Sequence, residues 1–318
     1  MRGKALLAVL SIGVMTLSGC ALGGSEGNPP AAGANSSGPL KGIHVAVGSK
    51  EFTEQLILCE ITAQRLEAQG ATVKRVCGMS GSDTVRAAET SGNIDMYWEY
   101  TGTGWISFLK QTEPVHDADD QYIKVRDMDL AQNKIVWMPA AAANNTYAVA
   151  VKTETAEKLK VKTLSDYAAL SQTDPKDASF CGASEFLGRN DGWPGLKAAY
   201  GINVPDSEVA TLAEGPIYNS VSTGNPCNFG EAFATDGRIA GLGLTVLKDD
   251  KNFFPFYNLS LTVRQDFMQK NPAVEAAMKP ITEKLTNATL QKLNASVDVD
   301  GKSPEAVATT FLTDNDLK

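Results

Sequence analysis

Ile43-His44-Val45-Ala46-Val47 is a short β-rich run, and Gly48-Ser49-Lys50 follows it. Beyond it Phe52, Leu56, Cys59, Ala63 and Leu66 recur at alternating steps of four and three. That spacing predicts a helix from about Phe52 to Gln69 with one apolar stripe, and Glu54, Glu60, Gln64 and Glu67 turned to solvent. Gly70 supplies the stop. Thr72 to Cys77 predicts a second strand, so the opening unit is β-α-β, and a right-handed crossover into a parallel sheet is expected. A helix over Ser82 to Thr90 and a strand over Ile94 to Trp98 extend the pattern. The alternation resumes with Tyr147 to Val151, a helix around Leu164 to Leu170, Ser179 to Ala183, Leu196 to Tyr200 and a helix near Ile217 to Ser222. After Phe256 the tail is mainly helical, with Asn271 to Leu293 and Pro304 to Leu312 as its candidates. The pattern predicts an α/β protein of two lobes.

The start of the chain follows a different pattern. Arg2 and Lys4 precede the apolar run Ala5 to Met15 and then Leu17-Ser18-Gly19-Cys20, the order of charged region, apolar region and small-residue cleavage site in an export signal. The run is too short for a membrane-spanning helix. Leu-Ser-Gly-Cys resembles a bacterial lipobox, which implies cleavage after residue 19 and a lipid on Cys20. Residues 20–40 then form a flexible tether rich in Gly, Pro, Ser, Ala and Asn.

Composition narrows the functions available. The 318 residues, 43% hydrophobic and 21% charged, suffice for two compact units. Asp and Glu outnumber Lys and Arg by 37 to 29, a net charge of -8, which disfavours nucleic acid as a partner. Loss of residues 1–19 removes Arg2 and Lys4 and makes the balance more acidic still. Only two histidines, His44 and His116, are present, and no metal or cofactor is expected. Apart from Cys20 there are four cysteines. In an exported protein the local pairing Cys59 with Cys77 and Cys181 with Cys227 puts one disulfide in each half; buried free thiols are the alternative.

Phosphate-loop, dinucleotide, zinc-protease, CxxC and EF-hand signatures are absent, as is a GxSxG nucleophile elbow, so no enzyme activity is expected. Aromatic, glycine and charged residues instead meet at strand-to-helix junctions: Gly48 to Gln55, Glu99 to Gly104, Asn144 to Tyr147, Arg189 to Leu196, Phe233 to Ile239 and Phe254 to Asn258. Ligands of open α/β sheets bind outside such strand ends. In this order the motifs SKEFTEQ, EYTGTG, NNTYA, FATDGRI and FFPFYN resemble those of the quaternary-amine substrate-binding proteins of ABC transporters, over about Ile43 to Leu312.

The resemblance implies a type II periplasmic-binding fold, two α/β lobes joined by two hinge strands. Residues 41–144 with 255–318 would form one lobe and 145–254 the other. It implies capture of glycine betaine, choline or carnitine as the lobes close. A trimethylammonium group has charge but no N–H, so aromatic faces recognise it through cation–π attraction of about 0.5 to 2 kcal/mol per ring. By motif position Tyr100, Tyr147, Phe233 and Tyr257 match the cage, Phe233 standing where some members have Tyr. For a carboxylate end, Lys50 and Thr103 lie at helix starts, Arg189 matches a position reaching across from the second lobe, and Asn145 lies in the first crossing. Arg238 and Arg264 are read as structural. The expected partners are the small ligand, a permease with its ATPase, and the membrane through Cys20; the protein is expected to be a monomer outside the cell membrane. Another zwitterionic cargo such as ergothioneine is the near alternative, and an exported hydrolase the distant one.

Overall fold

The computed structural model describes residues 38–111, 115 and 117–318. The export signal, Cys20, His116 and the tether up to residue 37 lie outside the described residues. Among the described residues ten strands form two sheets. The first part of the chain contributes β1 (His44–Lys50), β2 (Thr72–Met79), β3 (Met96–Tyr100) and β4 (Ile135–Trp137). The middle contributes β5 (Tyr147–Lys152), β6 (Phe180–Gly182), β7 (Val209–Thr211), β8 (Phe229–Phe233) and β9 (Leu244–Val246), and β10 (Leu259–Arg264) follows. The first sheet runs β2-β1-β3-β10-β4 and the second β7-β6-β8-β5-β9.

Both sheets are mixed, where a parallel one was expected. β1 pairs parallel with β2 and β3, whereas β10 is antiparallel to both β3 and β4. The reason is topological. β10 enters from the second sheet rather than through a helical crossover on its own face, so it arrives in the opposite sense. In the second sheet β5, just beyond the first crossing, likewise lies antiparallel to β8 and β9.

The two crossings lie side by side. Asn144 and Asn258 form a bridge, the Asn145 N–H donates to the Tyr257 carbonyl at 3.1 Å, and the Thr146 hydroxyl donates to the Pro255 carbonyl at 3.2 Å.

Helix α1 (Thr53–Ala68) packs on one face of the first sheet and α2 (Ser82–Thr90) on the other. Its apolar stripe was expected to leave Glu54 exposed, but Glu54 and Gln55 are both buried. The C-terminal helices Asn287–Asp298 and Pro304–Asp314 cover the face that would otherwise meet water. The expected single helix over Asn271 to Leu293 is two, Ala273–Lys284 and Asn287–Asp298. They part at Leu285, whose ψ of 98° is extended, and Thr286 caps the second by accepting from the Thr289 N–H. A helix over Ala118–Asn133, capped by Asp117, is an addition to the expected elements. Cys59 is bonded to Cys77 and Cys181 to Cys227, one bridge beside each sheet. Trp98 and Phe180 are fully buried in one continuous core, which each stabilises by about 1.5–3 kcal/mol.

Candidate functional site

The ends of β1, β3, β5 and β8 and the two crossings converge on one small cavity. Phe52, Tyr100, Tyr147, Phe233 and Tyr257 line it, together with Lys50, Thr103, Asn145, Ser82 and three glutamates. Its volume is about 20 Å³, room for about one water and less than any quaternary ammonium ion. Glu51, Phe52, Glu185 and Glu214 also line a neighbouring cleft of about 510 Å³.

The rings are in mutual contact. Phe52 stacks on Phe233 at 5.3 Å and on Tyr100 at 6.3 Å between centroids. Tyr147 lies 5.3 Å from Phe233 and 5.2 Å from Tyr257, edge to face with the latter. Backbone registers place them: Tyr147 and Phe233 are paired partners on β5 and β8, and Tyr100 opposes Leu259 at the end of β3. Gly102 lets Tyr257 in, since an added Cβ there would lie 2.7 Å from its ring.

Behind the rings lies a set of buried polar groups. Glu54 accepts hydrogen bonds from the Tyr100 hydroxyl at 2.7 Å, the Asn145 amide at 2.9 Å, the Thr235 hydroxyl at 2.6 Å and the Asn294 amide at 3.0 Å. Burial raises its pKa against the lowering effect of those four donors. Asn145 also accepts from the Thr235 N–H at 3.1 Å, so crossing and second lobe meet at one carboxylate.

Two expected cations are already engaged. Lys50 lines the cavity, but its ammonium is 2.7 Å from the buried Glu99 and 5.1 Å from the Tyr100 ring centroid. Arg189 is not among the lining residues. Its guanidinium makes a bidentate pair with Asp191 at 2.8 and 2.6 Å, donates to Glu185 at 2.8 Å and reaches the Tyr257 hydroxyl at 3.3 Å. The cause is local: Asp191 and Glu185 lie two and four residues away on the same turn and reach the fork first. Tyr257 also hydrogen-bonds Asp191, so Arg189 and Asp191 together hold the Tyr257 ring from behind. Arg238 pairs with Asp236 and sits 4.0 Å over the Tyr218 ring, and Arg264 pairs with Asp95 and Asp266.

Sequence reasoning missed Phe52, Glu51, Glu185 and Glu214. The four-three spacing puts Phe52 in the core stripe of α1, yet it precedes the first turn and faces the cavity. Its place between a strand end and a helix start, inside SKEFTEQ, was the available signal. Glu185 bridges the lobes by accepting from the Ser82 N–H at 3.0 Å. Burial opposes its ionisation, but Lys50, Arg189 and the Ser82 hydrogen bonds outweigh that and hold its pKa at about 2. Glu214 behaves oppositely: burial, then repulsion from Glu51 and Glu185, pushes it up to about 8. Among the described residues no cluster of His, Cys, Asp and Glu is placed to hold a metal ion, and no helix is long and apolar enough to cross a membrane.

Two mixed α/β lobes, joined by two paired crossings and closing on a ring-lined cavity, define a substrate-binding protein with the type II periplasmic fold. The chain belongs to the family described as the substrate binding domain of ABC-type glycine betaine transport systems, whose pattern matches residues 43–314. It is 38% identical to a glycine-betaine-binding protein of Pseudomonas aeruginosa, over 90% of this chain and 92% of that one. It is 35% identical to the Helicobacter pylori ergothioneine transport permease/ergothioneine binding protein EgtU, over 84% of this chain but only 47% of that one. Among solved structures, apo YehZ from Escherichia coli superposes with a TM-score of 0.62 at 32% identity, covering 87% of this chain and 99% of that one. The role of the chain is therefore substrate binding for an ABC transport system.

Proposed function

We propose that this chain captures a quaternary-ammonium solute, glycine betaine, choline or carnitine, in an aromatic cage between its lobes and presents it to a permease. One observation carries the reading: five rings from both lobes and the return crossing, Phe52, Tyr100, Tyr147, Phe233 and Tyr257, line a single cavity. Hydrogen bonding cannot select a trimethylammonium group, whereas several ring faces can. Thr103 and Asn145 are the polar contacts for the rest of the ligand. Because the cavity is smaller than the ligand, the lobes part at the crossings for entry and reclose on it. Residues 41–144 with 255–318 move against 145–254.

Titration calorimetry tests the cage. At least one of the three amines binds, and Tyr147→Ala weakens it by roughly tenfold or more, as expected for loss of one cation–π face with its packing. No heat with any of them, or unchanged affinity in the variant, overturns the reading. A second reading, ergothioneine as cargo, is favoured by the 35% identity to the Helicobacter pylori protein of that name. A thermal-shift panel of the four compounds separates them.

The chain is held outside the cell membrane by a lipid on Cys20 and acts as a monomer beside its permease and ATPase. Mass spectrometry of the N-terminal peptide detects a diacylglyceryl group on Cys20; an unmodified cysteine there contradicts the anchor.

A further inference from the structure

We propose that the cavity selects a quaternary or methylated ammonium ion that carries no carboxylate, choline rather than a betaine, and that Glu214 makes the selection. This rests on the aromatic-cage reading and narrows it.

A zwitterion in this cavity needs donors or a cation for its acid end. The nearby positive groups are answered by the protein's own carboxylates: Lys50 by Glu99, Arg189 by Asp191 and Glu185, Arg238 by Asp236. Two neighbouring backbone donors are answered too, Gly81 by Glu51 and Ser82 by Glu185. An acidic group, in contrast, is left over. Glu214 begins the helix Glu214–Thr223 and lines the cavity, and its Oε2 is buried with no hydrogen-bond partner. Glu51 from the loop after β1 and Glu185 from the turn Ser184–Gly188 face it, and Glu231 on β8 adds to the repulsion, with Lys50 and Arg238 the opposing cations. Around one ring-lined space this arrangement attracts a positive head and repels a second carboxylate.

A consequence in protons follows from the crowding. In the ligand-free protein at neutral pH the Glu214 acid, pushed up to about 8, is mostly protonated. A cation seated against it favours the carboxylate and expels the proton. Choline affinity then rises with pH up to about 8 and levels off above it. A betaine held through the protonated Glu214 acid would do the reverse, weakening as pH passes that value.

The test is calorimetry of the purified protein with choline, glycine betaine and carnitine at about pH 6 and about pH 9, in buffers of different ionisation enthalpy. The expected result is choline binding at least roughly tenfold tighter than glycine betaine, with proton release below about pH 8 and tighter binding at the higher pH. Glu214→Gln is expected to weaken choline by roughly tenfold, abolish the proton release and leave glycine betaine unchanged or improved. Glycine betaine binding as tightly as choline, or choline binding without proton release, overturns the inference and leaves the cage standing. Binding of none of the three overturns both. Should Glu214→Gln fail to fold, the proton count on the unaltered protein decides.

Discussion

Glu54 accepts from four side chains that come from β3, the first crossing, the turn after β8 and the helix Asn287–Asp298. Removing it strands four buried donors, each costing of the order of 1–3 kcal/mol unless water reaches it. Glu54→Ala is therefore expected to lower stability in denaturant unfolding by about 3 kcal/mol or more, and a loss under about 1 kcal/mol would contradict the hub. Its position on α1 reads as solvent-facing, because helical periodicity registers only neighbours three and four residues away. The partners are 46, 91, 181 and 240 residues distant in sequence. Tyr100, Tyr147, Phe233 and Tyr257 were legible for the opposite reason: each stands in a short motif at a strand end or crossing, where local sequence and cavity coincide. Arg189 shows the limit of motif position, since the carboxylates that occupy it are two and four residues away and no motif says which partner a guanidinium meets first.

The helix Ala118–Asn133 turns polar residues inward. Gln121 donates to the Thr101 hydroxyl, and Asp129 accepts from Arg86 on α2 and from the Trp137 indole on β4, the latter at 2.7 Å. With its core-facing side marked by Gln121, Val125 and Asp129, the apolar pattern that betrays a helix is missing. Asp129→Ala leaves Arg86 buried beside Glu89 alone and is expected to cost about 3–5 kcal/mol while leaving ligand affinity unchanged; equilibrium unfolding and calorimetry on the same variant check both. The bridge Cys181–Cys227 closes a loop with a sequence separation of 46 between β6 and the entry to β8. Replacing both cysteines by serine is expected to lower stability by about 2–4 kcal/mol, and an unchanged unfolding midpoint would refute a stabilising role. Much of the strand–helix alternation was readable in advance, but β8 and β10 were not, nor were the three-residue strands β4, β7 and β9. Three residues carry too little periodicity, and these strands exist because a neighbour supplies their hydrogen bonds.

The two lobes are linked by Thr235 on Glu54 and by Ser82 on Glu185, besides the paired crossings. Thr235→Val removes one latch and is expected to shift the ligand-free ensemble toward a larger radius of gyration in solution scattering, without moving the ligand-bound value. An identical free-state radius would show that the latch does not hold the lobes. Stability should also depend on pH in a stated direction. Glu89 and Glu214 have pKa values raised to about 8, so the folded chain retains protons that the unfolded chain has released. Their contribution is full below the ordinary carboxylate range near 4.5 and is lost as pH rises through about 8. Glu185, held at about 2, works the other way and loses its contribution only as pH falls below about 4.5. The melting temperature is thus expected to be lower at about pH 9 than at about pH 6 by at least ~2–4 °C, the shift that ~1 kcal/mol gives a chain of this size. A rise over that interval would contradict the burial of these two acids.

Local sequence was enough for the α/β alternation, the ring motifs at the strand ends and the two-lobed family architecture, because periodicity and short junction motifs are properties of neighbouring residues. Three things waited for the folded chain. The antiparallel insertion of β10 depends on where the return crossing lands. The engagement of Lys50 and Arg189 by Glu99, Asp191 and Glu185 depends on which charges come within reach once water is excluded. The acidic wall of Glu51, Glu185 and Glu214 is assembled from residues far apart in the chain, and only their convergence on one cavity pushes the Glu214 acid up to about 8.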